Sequence, residues 1–227
     1  MSHSIEDESG ESAEVRPDDD VTLGASRTVQ EFFGPRYELV AAFYERLRSE
    51  GELRGLIGPR EVSRLWERHI LNSAAVIPYL ATARSIADVG SGAGLPGIVV
   101  AIMLPEAEVI LIEPMERRTV WLSEVAADLG IANVDVKRGR AEEFHGAFEV
   151  DAVTSRAVAA LGKLARMSLP LVRRGGDMVV LKGRSVAQEI DPARKVLRSL
   201  KASEPQILEG VTVPGVESTT IVRIHRN

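Results

Sequence analysis

Gly90, Gly92, Gly94 and Gly97 recur within the stretch Asp88-Val89-Gly90-Ser91-Gly92-Ala93-Gly94-Leu95-Pro96-Gly97. Lacking a Cβ, glycine takes positive φ readily and lets a ligand come against bare peptide groups. An apolar run, residues 85–89, enters this stretch, and another, residues 98–104, leaves it. The pattern predicts strand, turn and helix, with the helix opening near Pro96, whose missing N–H would be unpaired in the first turn anyway. The helix N-terminus behind the turn favours groups rich in lone pairs or negative charge.

Two motifs overlap in this turn. Gly92 to Gly97 fits G-x-G-x-x-G, the dinucleotide fingerprint. Asp88 to Gly94 fits acidic-x-G-x-G-x-G, the signature that resembles class I S-adenosylmethionine (SAM) methyltransferases. In a dinucleotide fold the first glycine follows the strand directly and the helix continues past the third. Here Gly90 follows the strand and Pro96 falls inside the dinucleotide fingerprint, so the methyltransferase register is favoured.

The elements around the turn follow in order. Residues 108–113 form an apolar strand ending in Glu113, about 20 residues beyond the glycines, where nucleotide folds place the carboxylate that accepts from ribose hydroxyls. A helix over 116–129 exposes Arg117 and Arg118 and buries Val120, Leu122, Val125 and Ala126. Strands are expected at 134–137, 148–154 and 178–183, the second leading into Ser155-Arg156-Ala157. Helices are expected at 157–171 and 186–200, and residues 206–213 and 219–224 read as a hairpin. Turns 138–143 and 155–157 fall at strand carboxyl ends, where ligands bind in open α/β sheets. This α/β sequence predicts a class I SAM-dependent methyltransferase fold: a Rossmann-like seven-stranded sheet, helices on both faces, the last strand antiparallel.

Upstream, Phe32, Phe33, Tyr37, Val40, Ala41, Tyr44 and Leu47 recur at helical spacing, with Pro35 dividing the run. A further helix carries Val62, Leu65, Trp66, Ile70, Leu71 and Ala74 on one face and Arg60, Arg64, Arg68 and His69 elsewhere. Residues 1–26 are polar, acidic and aperiodic, and disorder is expected there. The resulting division is a leader (1–26), a helical extension (27–80) and a methyltransferase domain (81–227).

The 227 residues carry a net charge of −5. Residues 1–20 hold eight acids and one base, a net −7, so −5 less −7 leaves +2 for residues 21–227. The acidic leader masks a mildly basic remainder. Absence of cysteine excludes disulfides, thiolate metal ligands and a cysteine nucleophile, and no metal site is expected. No apolar run is long enough to span a membrane and no signal peptide is evident, so a cytoplasmic protein is expected.

Several stretches together resemble the glucose-inhibited division protein B (RsmG) family, bacterial small-subunit ribosomal RNA methyltransferases acting on guanine N7. They are Arg68-His69-Ile70-Leu71-Asn72-Ser73, Asp88 to Gly97, Glu113 to Leu122, Arg140-Ala141-Glu142-Glu143, Ser155-Arg156-Ala157 and Leu181-Lys182-Gly183, in order over roughly two-thirds of the chain. Asn72 stands where the family has aspartate, and the upstream W-N-x-x-x-N-L-T stretch is absent. The resemblance implies SAM as cofactor, S-adenosylhomocysteine as product, and 16S ribosomal RNA of the small subunit as partner of a monomeric enzyme. It places Gly90, Gly92, Leu95, Glu113, Ala141, Glu142 and Arg156 at the cofactor. Arg156 and Lys182 are the expected catalytic residues, and Arg64, Arg68, His69, Arg117 and Arg118 the expected RNA contacts.

The chemistry agrees from the residue types alone. Guanine N7 attacks with a ring lone pair that carries no proton, so in-line methyl transfer needs positioning and a suitable electrostatic environment rather than a general base. Amino-group methyltransferases typically show Asn/Asp-Pro-Pro-aromatic after the fourth strand, where this chain has Ser155-Arg156-Ala157. Pyrimidine C5 methylation uses a cysteine adduct, and the chain has no cysteine, which leaves lone-pair acceptors or a hydroxyl activated by some other group. A small-molecule methyltransferase, a non-catalytic RNA- or nucleotide-binding module and a dehydrogenase remain the rival readings. Aromatics are only 4% of residues, which points to recognition by phosphate and shape rather than by stacking.

Overall fold

The computed structural model describes residues 17–156 and 158–227. The disorder expected for residues 1–16 falls outside the described residues, as does Ala157. The rest of the expected leader is corrected: Pro17–Gly24 forms helix α1. The reason is Asp20, which is only 4% exposed and accepts from the backbone N–H groups of Trp66 (3.1 Å) and Glu67 (3.2 Å). Burial raises its pKa, and those two bonds oppose the rise. Asp20→Ala would leave both amides unpaired and cost about 1–3 kcal/mol. Urea denaturation checks this, and an unchanged midpoint would mean that α1 contributes nothing to stability.

Ser26 caps the next helix, α2 (Arg27–Phe33), by accepting from Val29 N–H. Gly34–Arg36 is a 3₁₀ turn containing Pro35, and α3 follows as Tyr37–Glu50. Beyond it, the single helix expected across residues 62–74 is broken up. Pro59–Arg64 is a 3₁₀ turn, Trp66–Leu71 a π-helical turn, and α4 (Asn72–Ala74) and α5 (Ile77–Leu80) are short. Single π turns inside helices recur at functional sites. Tyr44 and Tyr37 stack on Trp66, with ring centroids 4.9 and 6.1 Å away, and this fixes the segment against α3.

The βα alternation then unfolds as expected. It runs β1 (Ser85–Val89), α6 (Gly97–Met103), β2 (Glu108–Glu113), α7 (Glu116–Asp128), β3 (Val134–Arg138), β4 (Val150–Arg156), α8 (Leu161–Ser168) and β5 (Val172–Lys182). It closes with α9 (Ala187–Ser199), β6 (Gln206–Gly210) and β7 (Thr219–His225). The seven strands stand in the order β3-β2-β1-β4-β5-β7-β6, and β7 runs antiparallel to both neighbours. Several local expectations shift: β5 starts at Val172 rather than 178, and β4 runs from Val150 to Arg156 rather than over 148–154. α8 starts at Leu161 rather than 157, and Val120 on α7 is exposed while Thr119, Trp121, Leu122 and Val125 face the core.

Strand side chains alternate between two cores, as a period of two requires. Ile86, Val109, Leu111, Val179, Leu181 and Ile221 face one side, and Ala87, Ile110, Ile112, Met178, Val180 and Val222 face the other. α8 and α9 cover the second face. The first is covered by α6, α7 and the N-terminal helices, whose Phe33, Phe43 and Leu47 share one cluster with Ile98 and Trp121. The N-terminal segment is therefore built into the sheet's core. Among the described residues, no helix is long and apolar enough to cross a membrane.

Candidate active site

Parallel register aligns the carboxyl ends of β1 to β5. Asp88 pairs with Leu111, Glu113 with Arg138, and Arg156 with Leu181, so the chain reverses above one edge of the sheet. The glycine turn is sewn onto β2 there. Gly90 and Ser91 donate to the Ile112 carbonyl at 2.9 and 3.1 Å, and Gly92 donates to Glu113 Oε2 at 3.0 Å. Glu113, 2% exposed, also takes the Met115 N–H on its other oxygen. Pro96 precedes α6, and Gly97 N–H donates to Asp88 Oδ2 at 3.0 Å. Asp88 is fully buried, and desolvation pushes its pKa up to about 7.

Glycine is needed here for two separate reasons. Gly90 has φ +75°, and a Cβ there would stand 2.6 Å from Val158 Cγ2. At Gly97 a Cβ would meet Leu111 at 2.3 Å and the Asp88 carboxylate at 2.5 Å. A further tie comes from below, where Trp121 Nε1 donates to the Ala93 carbonyl at 3.0 Å. Two guanidinium groups lie over the Trp121 ring, Arg54 at 5.2 Å and Arg46 at 5.5 Å from its centroid.

Above the turn lies a cavity of about 630 Å³, a volume suited to a small organic ligand. Every sequence-predicted cofactor residue lines it: Gly90, Gly92, Leu95, Glu113, Ala141, Glu142 and Arg156. The turn backbone, the buried carboxylate and the apolar walls suit a nucleoside carrying an amino-acid tail. Sequence reasoning missed the wall formed by Leu56, Ile57 and Gly58, which reads in the chain only as a glycine-punctuated loop.

A second cavity, about 400 Å³, adjoins the first. It is lined by Arg64, Arg68, Lys182 and Arg184, with Glu67, Glu217 and Thr219 among the others. Glu61, His69 and Arg156 line both cavities. Arg156 donates to the Arg68 carbonyl (3.1 Å) and to His69 Nδ1 (2.8 Å), while His69 Nε2 lies 2.8 Å from Glu61 Oε2. Burial first, and then the Arg156 charge, lowers the His69 pKa to about 4 against the pull of Glu61, so the ring is neutral at pH 7. A neutral ring that accepts at Nδ1 donates at Nε2. Burial brings the Arg156 pKa down to about 10, so the guanidinium stays charged at pH 7.

The remaining expected residues divide. Lys182 lines the second cavity, but its ammonium is held by the Ala159 carbonyl (2.9 Å) and Glu189 (2.8 Å). Arg64 pairs with Glu67 at 2.7 Å. Arg118 belongs to the first cavity, 3.8 Å from Glu113 Oε2, whereas exposed Arg117 lines neither. Glu61 was not singled out from the sequence, where it reads as one acid among the bases 60–68.

The depressed His69 pKa makes stability fall on acidification. Between the unfolded value of about 6.5 and the folded value of about 4, only the unfolded chain takes up the proton. Going from pH 7 to pH 5, the wild type should lose roughly 1–2 kcal/mol relative to His69→Gln. Parallel denaturant melts at the two pH values read the difference directly, and identical pH slopes would contradict it.

Comparison with known proteins adds to this geometry. The family model described as rRNA small subunit methyltransferase G matches residues 36–213. A Paenarthrobacter aurescens (strain TC1) protein named ribosomal RNA small subunit methyltransferase G is 46% identical over 205 residues, covering 90% of this chain and 95% of its own length. One of the same name from Corynebacterium efficiens is 48% identical over 202 residues, covering 86% of each. Among solved structures, the SAM complex of the O-methyltransferase TomG from Streptomyces achromogenes superposes with a TM-score of 0.57 at 16% identity, covering 92% of this chain and 95% of that one. Cofactor-bound Rv0187 from MTB gives 0.56 at 16% identity, over 93% and 97%. These bear out the fold expected from the sequence, a class I methyltransferase sheet.

Proposed function

Because the chain belongs to the rRNA small subunit methyltransferase G family, we propose that it transfers a methyl group from SAM to N7 of a guanine in 16S ribosomal RNA. The observation that carries this reading is the junction of two cavities at Arg156: one fits a nucleoside cofactor, and the other is basic and open to a polyanion. When bound, SAM supplies an electrophilic methyl group on a sulfonium. Gly90, Gly92 and Leu95 would hold its amino-acid portion, Glu113 the ribose hydroxyls, and Ala141 and Glu142 the adenine edge.

The acceptor guanine enters the second cavity, with Arg64, Arg68 and Arg184 near its phosphates. Arg156 retains guanidinium N–H groups beyond the two it uses internally, and these can engage acceptors on the base. The N7 lone pair carries no proton, so no side chain has to remove one, and the site's contribution is alignment. Lys182 acts through position, tying β5 to α9 and the Ala159 carbonyl. The enzyme would act as a monomer, and its substrate would be met in the cytoplasm.

The test uses methyl-labelled SAM and small ribosomal subunits that lack the modification, followed by digestion of the RNA. Label in 7-methylguanosine at one site is the expected result. SAM binding with no label in RNA would move the substrate to a small molecule.

A further inference from the structure

We propose that Glu61 is a positioning residue: through neutral His69 it fixes the Arg156 guanidinium on the wall between the two cavities. The proposal takes from the methyltransferase reading only the meaning of Arg156. Three separate elements meet in this chain of contacts: the 3₁₀ turn Pro59–Arg64, the π turn Trp66–Leu71 and the end of β4. Both links measure 2.8 Å.

The hold on Arg156 depends on which ring nitrogen of His69 carries the proton. A neutral imidazole can hold it on either nitrogen, and the partner of one nitrogen decides the role of the other. A carboxylate accepts and a guanidinium only donates, so Glu61 at Nε2 reinforces the tautomer that Arg156 needs at Nδ1, protonated at Nε2. In the opposite tautomer Nδ1–H would face an Arg156 N–H, donor against donor, and that bond would be lost. Arg156 would then keep only the Arg68 carbonyl and be free to pivot about it.

Burial first, and then the charges around it, keep the ring neutral. Arg156 from β4 and Arg68 on the same turn both oppose its protonation, and only Glu61 favours it. Glu61 is itself 40% exposed at the side chain while His69 is 10% exposed, so the carboxylate reaches water while the ring it orients is dry. Asp88 attracts Arg156 from below without a hydrogen bond to it. The guanidinium is thereby oriented by a neutral acceptor and a carbonyl, and its remaining N–H groups are left for what enters the cavities. This is the preorganisation a reaction that depends on alignment requires.

The experiment uses the full chain with ¹⁵N-histidine and long-range proton–nitrogen correlation at pH 7. There are four histidines, and His69→Gln identifies the signal. The wild type should show a single Nε2–H tautomer at His69. In Glu61→Ala the tautomers should mix and single-turnover methyl transfer at saturating SAM should fall by at least about tenfold. S-adenosylhomocysteine affinity should change by less than about threefold in that variant. Glu61→Gln offers an amide oxygen to the same N–H, so it should restore the tautomer and most of the rate.

Wild-type transfer in Glu61→Ala would overturn the proposal. So would lost transfer with the tautomer unchanged, which would mean that Glu61 acts on the RNA directly. If Glu61→Ala does not fold, Glu61→Gln decides: loss of rate with the tautomer retained overturns the proposal. An inactive wild type would instead sink the methyltransferase reading, and the tautomer comparison would still decide what Glu61 does to His69.

Discussion

Arg156→Ala is expected to lower methyl transfer by about 10²–10³-fold while leaving the sheet folded and S-adenosylhomocysteine bound. Arg156 lines both cavities, so its loss opens one into the other and removes the charge that faces an incoming nucleotide. Its two acceptors, His69 Nδ1 and the Arg68 carbonyl, are left unpaired at a cost of about 1–3 kcal/mol. That cost lies within the usual total stability of about 5–15 kcal/mol. Arg156→Lys should not rescue the rate, because a point charge on a flexible stem cannot span an imidazole and a carbonyl in one geometry. Turnover of radiolabelled SAM on subunits, with circular dichroism and product-binding calorimetry as controls, reads all three effects. Near wild-type turnover in Arg156→Ala would remove Arg156 from the reaction, and in Arg156→Lys it would mean that the charge suffices without the fork geometry.

Trp121→Ala should cost about 3–5 kcal/mol, a large part of the whole stability, because the largest fully buried side chain among the described residues is removed. More than volume is lost, since Arg46 and Arg54 lie over the ring and link α3 and the loop after it to α7. Arg54 also binds Glu50 and Glu124, each within 2.8 Å. Trp121→Phe separates the contributions by keeping an aromatic face and deleting the indole N–H. The Ala93 carbonyl would then lack its partner, a penalty of about 1–3 kcal/mol. Since Ala93 belongs to the glycine turn, cofactor affinity in Trp121→Phe should fall several-fold. Urea melts and calorimetric titration check the pair; unchanged affinity would mean that the turn holds its shape without this tie.

The sheet was legible from the chain because buried parallel strands read as short apolar runs between glycine and charge. Glu113 and the glycines were legible because backbone chemistry fixes their spacing. α1 was not, since it carries three consecutive aspartates and its decisive bond, Asp20 to the Trp66 and Glu67 amides, spans more than 40 residues. The π turn at Trp66–Leu71 was hidden for a related reason: a pattern of period 3.6 does not report one inserted residue. Within the site, the neighbouring Arg117 and Arg118 look equivalent as sequence. On a helix, adjacent residues point about 100° apart, so one reaches the cavity and the other faces water. Glu61 needed the folded chain, because nothing in the spacing of residues 61, 69 and 156 announces a hydrogen-bonded series.

The placement of the aromatic residues has an optical consequence. The chain holds two tryptophans, both buried, and they sit in different places. Trp66 is stacked among Tyr37 and Tyr44 against the N-terminal helices, so its emission follows the docking of that segment. Trp121 lies under two guanidinium groups with its N–H on the glycine turn, so its emission follows ligand occupancy there. Replacing either one by phenylalanine leaves a single tryptophan, which excitation beyond the tyrosine band reports alone. Segment docking and cofactor binding can therefore be timed separately, in the same stopped-flow cell, without attaching a dye.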